Sequence, residues 1–416
     1  MRYRRQIMTG DGRTRRRKKA AGGHLLRRAD LLTGGQEQPA TSVWIAGGRV
    51  RAVGKTAERL GRRAGASPID LDDHFLSPGF VDLHTHGAVG VDFVEARESD
   101  LEALRNHYLS CGVTSVLMSL YAGTPKNTLE TVTRAARNLA APAAGGLFAG
   151  LHMEGPYLSL VRPGALPKQH FRTYRDPGEL DALITASGGT LRTMTLAPER
   201  PGNDRLIAAL KRRGIVPCFG HSDADYAQAR RALQRGMGCV THFFNAMRGL
   251  HHRSPGPIAA VFEDAAVAAE LIVDGHHVDY AALRLVLRSV GPLRTILVSD
   301  SVAACGLPEG KYQFAGRTVA VKEGKVTLPD GTLAGSLSTL DAAVRLAVRH
   351  LELSPAGATQ LVTRNPARLI GLRTRGEIRA GRTADLVLLD RKLRVRATWL
   401  RGELAWSRKG ALQAGW

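Results

Sequence analysis

Eight short apolar runs, at residues 79–83, 113–118, 147–151, 192–196, 215–219, 239–241, 269–273 and 295–298, alternate with stretches of helical period. Helical patterns fall between most of them, at 100–110, 126–139, 204–213, 225–235 and 280–290. Runs apolar on both faces are what a parallel sheet covered by helices requires. Eight strand–helix units in this length of chain predict a closed (β/α)8 barrel, for which ~250 residues are typical. An open doubly wound sheet is the alternative.

The two ends read differently. Residues 25–72 form short strands with turns, and Val43 to Ile45 and Val50 to Val53 flank Ala46-Gly47-Gly48, a hairpin signal. Near the other end Leu386-Val387-Leu388-Leu389 is strand-like, and 392–406 continues in that style. We therefore expect 25–76 and 366–416 to build one small β-sandwich beside a barrel of residues 77–365. Residues 312–330 alternate around Lys322-Glu323-Gly324-Lys325 as a hairpin insert. Residues 338–350 and 355–363 read as closing helices, with Asn365-Pro366 as a stop.

Composition limits the function classes. The chain has 44% apolar residues but no apolar run approaching the ~20 residues of a membrane span. The basic start lacks the apolar segment of a secretory signal, so a cytoplasmic protein is expected. Four cysteines, Cys111, Cys218, Cys239 and Cys305, show no CxxC pairing and read as core or loop thiols. Of the net charge of +22, residues 1–30 contribute +9, from eleven Lys or Arg against two Asp. Residues 1–24 therefore read as a disordered basic tail, and Met8 is an alternative start. The remainder is still basic, which favours an anionic substrate. Nucleic-acid binding would need aromatic platforms or a known module; aromatic content is 5% and no module is visible.

Chemistry collects at the carboxyl ends of the expected strands. The first ends in Asp82-Leu83-His84-Thr85-His86, and residues two apart point to one side, so His84 and His86 can face one metal. The third ends in His152-Met153-Glu154-Gly155-Pro156, where a carboxylate at a barrel mouth calls for a cation. The fifth ends at His221, the sixth at His242 and the eighth at Asp300. Any one of these has a bland structural reading. Together they form a nitrogen and carboxylate set without thiolate, on the rim where barrels of this kind hold their active sites.

In this order the residues resemble the metal-dependent amidohydrolase superfamily. More specifically the chain resembles the N-acetylglucosamine-6-phosphate deacetylase family. The likeness is carried by Pro78-Gly79-Phe80-Val81-Asp82, Leu151-His152-Met153-Glu154-Gly155-Pro156-Tyr157 and Leu196-Ala197-Pro198-Glu199. It continues in Gly220-His221-Ser222, Thr241-His242-Phe243-Phe244-Asn245-Ala246-Met247, Asp274-Gly275-His276-His277-Val278 and Gly331-Thr332-Leu333-Ala334-Gly335-Ser336. The resemblance spans about 25–405. It implies a primary divalent metal, zinc or a similar ion, on Glu154, His221 and His242, with Asp300 as the catalytic acid/base. Because His84 and His86 are present, it implies a second ion, with Glu154 reaching both. It also implies a homodimer, in which Asn245, Ala246 and His277 bind the sugar phosphate together with Arg253 lent by the neighbouring subunit. Ala165, Leu166, Leu333, Ala334 and Gly335 would meet the acetyl or sugar end.

The expected reaction is hydrolysis of N-acetylglucosamine 6-phosphate to glucosamine 6-phosphate and acetate by metal-activated water. A deacetylase for N-acetylgalactosamine 6-phosphate, or another amidohydrolase such as a D-aminoacylase, uses much the same ligand set. One departure bears on mechanism. Many relatives carry a histidine where this chain reads Gly164-Ala165-Leu166, and leucine cannot donate a hydrogen bond to a carbonyl. A second ion acting as a Lewis acid would compensate. The eighth strand also ends Ser299-Asp300-Ser301, where relatives usually read Ser-Asp-Ala.

Overall fold

The structure is a computed structural model that describes residues 22–411. The basic stretch 1–21, with most of the expected tail and Met8, lies outside the described residues.

Eight parallel strands form the centre: β1 (Phe80–Asp82), β2 (Val113–Tyr121), β3 (Phe148–Glu154), β4 (Leu191–Leu196), β5 (Val216–Phe219), β6 (Cys239–Val240), β7 (Ala268–Leu271) and β8 (Thr295–Leu297). They pair in sequence order, each with the next. Beyond the strand ends the ring closes between the first and last: Asp300 N–H donates to the His84 carbonyl at 2.8 Å and His86 N–H to the Ser301 carbonyl at 2.7 Å. The barrel expectation holds, and its seam runs through residues singled out for chemistry.

The period of two explains the packing. Val81, Cys218, Cys239, Ile296 and Val298 share one apolar cluster inside the barrel, while Phe80, Phe219, Val240 and Leu297 join the larger cluster with the helical shell. Cys218 and Cys239, side by side in β5 and β6, are small fillers there, and all four cysteines are free thiols. Shell helices begin where their caps are written: Asp225 and Gln228 close a capping box on Tyr226–Gln234, and Thr124 caps Pro125–Ala140. Four helices go beyond those expected, Arg364–Leu369 among them. Lys55–Arg63 lies among the amino-terminal strands, Pro177–Ala186 is capped by Asp176, and Gly256–Glu263 is too apolar to show a period. Asn365-Pro366 does not stop a helix, because Arg364–Leu369 runs through it. Proline is tolerated in a first turn, whose N–H groups have no intrahelical partner, and Asn365 Nδ2 instead donates to the carbonyls of Pro292 and Thr295 at 2.7 Å.

Both termini meet in one eight-stranded sheet, to which His24–Thr33, Gln36–Ala46, Arg49–Val53, Ser67–Asp70 and His74–Pro78 bring the first part. Leu386–Asp390, Val395–Leu400 and Glu403–Ser407 complete it. Its opening strand begins at His24, and Trp44 Nε1–H reaches back to the Gly22 carbonyl at 2.7 Å. One face collects Leu26, Ile45, Leu386, Leu388 and Trp399 into a core of its own; the other sends Val387 and Leu389 into the barrel's shell cluster. Arg375 pins the two together. Its Nε lies 3.1 Å from Asp385 Oδ2, and its Nη1 donates to Ser115 Oγ at 2.6 Å near the start of β2.

The insert is a three-stranded meander, Gly310–Phe314, Arg317–Lys322 and Lys325–Thr327. Its apolar face, Phe314, Val319, Val321 and Val326, packs on Leu158, Ala165, Leu166 and Ala334 beside the barrel mouth.

Candidate active site and metal centre

Six side chains from five strand ends converge at that mouth, all buried. Glu154 ends β3, and its two oxygens face different ways. Oε1 lies 3.0 Å from His221 Nε2 and 3.2 Å from His242 Nε2, whereas Oε2 lies 3.2 Å from His86 Nε2. Asp300 Oδ1 stands 3.5 Å from both His84 Nε2 and His86 Nε2. The donor atoms thus sort into two groups, Glu154–His221–His242 and His84–His86–Asp300, each lying within 4.8 Å.

The set fits divalent ions. In each group two imidazole nitrogens point at one another, His221 and His242 at 3.1 Å, His84 and His86 at 3.3 Å, which lone pairs tolerate only around a proton or a cation. Nitrogen and carboxylate donors without thiolate suit zinc-like ions. Electrostatics agree. Burial alone would lower the His84 pKa, but Asp300 and Glu154 overcome it and hold it well above the usual imidazole value. Burial would raise Glu154, but His84, His221 and His242 hold it well below the usual carboxylate range.

The backbone positions these ligands at a cost. His221, His242 and Asp300 have φ of 47°, 30° and 48°, in the left-handed region that non-glycine residues avoid at ~1–3 kcal/mol each. Neighbours hold the bends at His221 and Asp300. Ser222 Oγ–H and Asp223 N–H, just after His221, donate to the two oxygens of Glu199 at 2.6 and 2.7 Å. Asp300's carbonyl accepts Ser336 N–H at 2.8 Å, and Gly335 (φ 66°) allows that close approach, since a Cβ there would lie 2.9 Å from the same oxygen.

A cavity of about 230 Å³ opens over the two groups. It brings together His86, Glu154, His221, His242 and Asp300 with the expected substrate contacts Ala165, Leu166, Asn245, Ala246, His277, Leu333 and Gly335. His84 and Ala334 lie behind this lining, both fully buried. Arg253 is not brought in: it is exposed, and its Nη1 lies 2.9 Å from His252 Nε2. His277 Nδ1 lies 2.7 Å from Asp274 Oδ2, which leaves Nε2 for a ligand. Burial opposes the imidazolium, yet the bond to Asp274 raises the His277 pKa.

Sequence reading passed over several residues around the site. Phe314 of the insert lines the cavity and stands edge-on to His86, with ring centroids 5.5 Å apart. Glu199 lay inside a quoted motif without a role. Glu270 of β7 is buried with its Oε2 3.3 Å from His84 Nδ1. Glu154 stood out as a carboxylate at the end of an apolar strand; the related signal, a carboxylate inside the apolar run 269–273, would have found Glu270.

Residues 75–405 match the family model described as Amidohydrolase family. The chain is 34% identical over 383 residues to the N-acetylglucosamine-6-phosphate deacetylase of Homo sapiens, covering 89% of this chain and 93% of that one. To the N-acetylgalactosamine-6-phosphate deacetylase of Escherichia coli O157:H7 it is 36% identical over 340 residues, 82% and 90% of the two chains. Among solved structures it is similar to a mutant of the Mycobacterium smegmatis N-acetyl-D-glucosamine-6-phosphate deacetylase in complex with N-acetyl-D-glucosamine-6-phosphate. That likeness has a TM-score of 0.85 and 37% identity, covering 92% of this chain and 98% of that one.

Proposed function

The chain belongs to the amidohydrolase family, and from that premise we propose that it hydrolyses N-acetylglucosamine 6-phosphate to glucosamine 6-phosphate and acetate. The observation that carries this reading is one cavity shared by two kinds of group. The converging ligands Glu154, His221, His242, His86 and Asp300 suit amide hydrolysis, and His277, Asn245 and Ala246 suit an anion.

Divalent ions, for which zinc is our assignment, would be held by Glu154, His221 and His242 and by His84, His86 and Asp300; they supply a Lewis acid and lower the pKa of water from ~15.7 toward ~7. The Asp300 carboxylate, which lines the cavity, takes the proton of the attacking water. It returns that proton to the amide nitrogen, which cannot leave as an anion. Leu166, packed with Phe314 under the insert, offers the acetyl end an apolar wall and no hydrogen bond to its carbonyl. His277 meets the phosphate through Nε2, with Asn245 and Ala246 beside it. We assign Arg253 to the site of a partner subunit in a homodimer, where its planar fork suits a phosphate.

No helix among the described residues is long and apolar enough to cross a membrane. We take the cytoplasm as the site of action, since a phosphorylated sugar does not cross a bilayer unaided. We also read 25–76 with 366–416 as one folding unit bracing a barrel of 77–365.

Acetate release from N-acetylglucosamine 6-phosphate, with the unphosphorylated sugar as control, tests the proposal. Turnover that requires the phosphate is expected. A metal-loaded enzyme that releases no acetate from the phosphorylated sugar would remove the reading. The similarity to the Escherichia coli enzyme favours the galactose epimer as a second reading, so both epimers belong in the assay.

A further inference from the structure

Glu270 sits in β7 between Ala269 and Leu271 and is 3% exposed. A carboxylate buried in such a strand costs several kcal/mol unless something compensates it. Among the described residues its ion-pair partner is His84, at 3.3 Å from Oε2 to Nδ1. That ring nitrogen faces away from the ligand cluster. The other, Nε2, lies 3.3 Å from His86 Nε2 and 3.5 Å from Asp300 Oδ1. The other ligand group is supported differently: His221 Nδ1 faces the neutral carbonyl of Arg162 at 3.0 Å.

We propose that Glu270 is a positioning residue that makes His84–His86–Asp300 a working second metal site. Two physical effects combine. A carboxylate acceptor keeps the His84 proton on Nδ1, turns the Nε2 lone pair toward the ion and raises the basicity of that ligand. Glu270 also adds a third buried negative charge to those of Glu154 and Asp300. One divalent ion leaves the site net negative, whereas two leave it net positive, the sign that favours loss of a proton from water. A neutral partner such as the Arg162 carbonyl supplies the orientation alone. The chain thus carries a specific reason to hold two ions, which is also what the apolar Leu166 calls for when the carbonyl must be polarised. This inference rests on the metal-hydrolase reading above.

The test is metal binding rather than turnover. Ions per chain are counted by elemental analysis, and zinc affinity is measured by competition with a chelator, for the wild-type protein and E270Q. The melting temperature of the metal-free protein is recorded alongside. Wild type is expected to hold two ions. E270Q should hold the first as wild type does, bind the second about 10–100-fold more weakly, and melt unchanged without metal. H84A should lose the same ion. The proposal is overturned if E270Q binds both ions like wild type, or if wild type holds one. Loss of both ions together with stability in E270Q also overturns it, because Glu270 is then a packing residue. Should E270Q not fold, E270D is titrated instead: its shorter arm withdraws from Nδ1, and an unchanged second affinity overturns the proposal. Wild-type protein with two ions and no acetate release would sink the substrate reading and leave this one standing.

Discussion

Replacing Glu199 with alanine should loosen the first metal site while leaving the barrel folded. Glu199 touches no ligand atom, but its two oxygens hold Ser222 and Asp223, the residues that follow His221, at 2.6 and 2.7 Å. His221 itself has φ 47°, a conformation it keeps only while its neighbours are fixed. Hydrogen bonds to a charged acceptor are worth ~1.5–3 kcal/mol each, and Glu199 is partly exposed, so water recovers some of the loss. The lower end applies, about 3 kcal/mol for the pair. Spread over the whole chain this lowers Tm by only a few degrees. Concentrated on one loop, it cuts the fraction of molecules with His221 in place, and apparent affinity falls by that fraction. At ~1.4 kcal/mol per decade, the Kd of the Glu154–His221–His242 ion should rise about 100-fold. E199Q, which can still accept from Asp223 N–H, should fall between the alanine variant and wild type. Zinc titration against a competing chelator, with Tm recorded in parallel, measures both quantities. An alanine variant whose first-site Kd stays within about threefold of wild type would refute the claim that this clamp sets the geometry of His221.

Asp300→Asn is nearly isosteric, and the backbone bonds of residue 300 to His84 and Ser336 remain. Acetate release should therefore drop by ~10²–10⁴ in kcat while the Glu154–His221–His242 ion and the melting temperature are kept; a lowered melting temperature would point to misfolding instead. His277 has a pKa raised above its ordinary 6.5, with burial opposing and Asp274 prevailing. Its charge is present at lower pH and is lost as pH climbs through that raised value. KM for the phosphorylated sugar should accordingly rise on the alkaline side, and His277→Gln should flatten that limb of a KM-against-pH profile. On the acid side, the bond to His277 prevails over burial and holds Asp274 at about 2. Its contribution to stability is present above its ordinary ~3.9 and disappears as pH falls toward 2, which acid melting curves of wild type and Asp274→Asn will compare. Arg375→Ala leaves the buried Asp385 carboxylate without its cation. Breaking such a pair costs about 3–5 kcal/mol, so Tm should fall by roughly 4–6 °C with kcat per folded molecule preserved.

The barrel was legible because its signals are local. A strand buried on both faces must be apolar, and a helix that begins needs a cap, so β1 to β8 and helices such as Tyr226–Gln234 announce themselves in short windows. The candidate ligand residues were legible only as a set, since one histidine or carboxylate ending an apolar run has a bland structural reading but five strand ends carrying them on one rim point to a cation. Helix Gly256–Glu263 stayed hidden because five of its eight residues are buried, which erases the polar face that makes a period visible. Asn365-Pro366 misled because a proline that ends one helix is equally at home in the first turn of another.

Other features have no local signature at all. Glu154 dividing its oxygens between two groups, Glu199 gripping the loop after His221, and Glu270 backing His84 from 186 residues away are distances between chain-remote atoms. The left-handed backbone at His221, His242 and Asp300 runs against the preference of those residues and survives only because the surrounding bonds impose it. Sequence by itself determined which residue types stand at the barrel mouth, because hydrophobic periodicity fixes where each strand ends. Tertiary structure alone decided which of them face one another, because that depends on closing the ring of strands and on strain that remote partners hold in place.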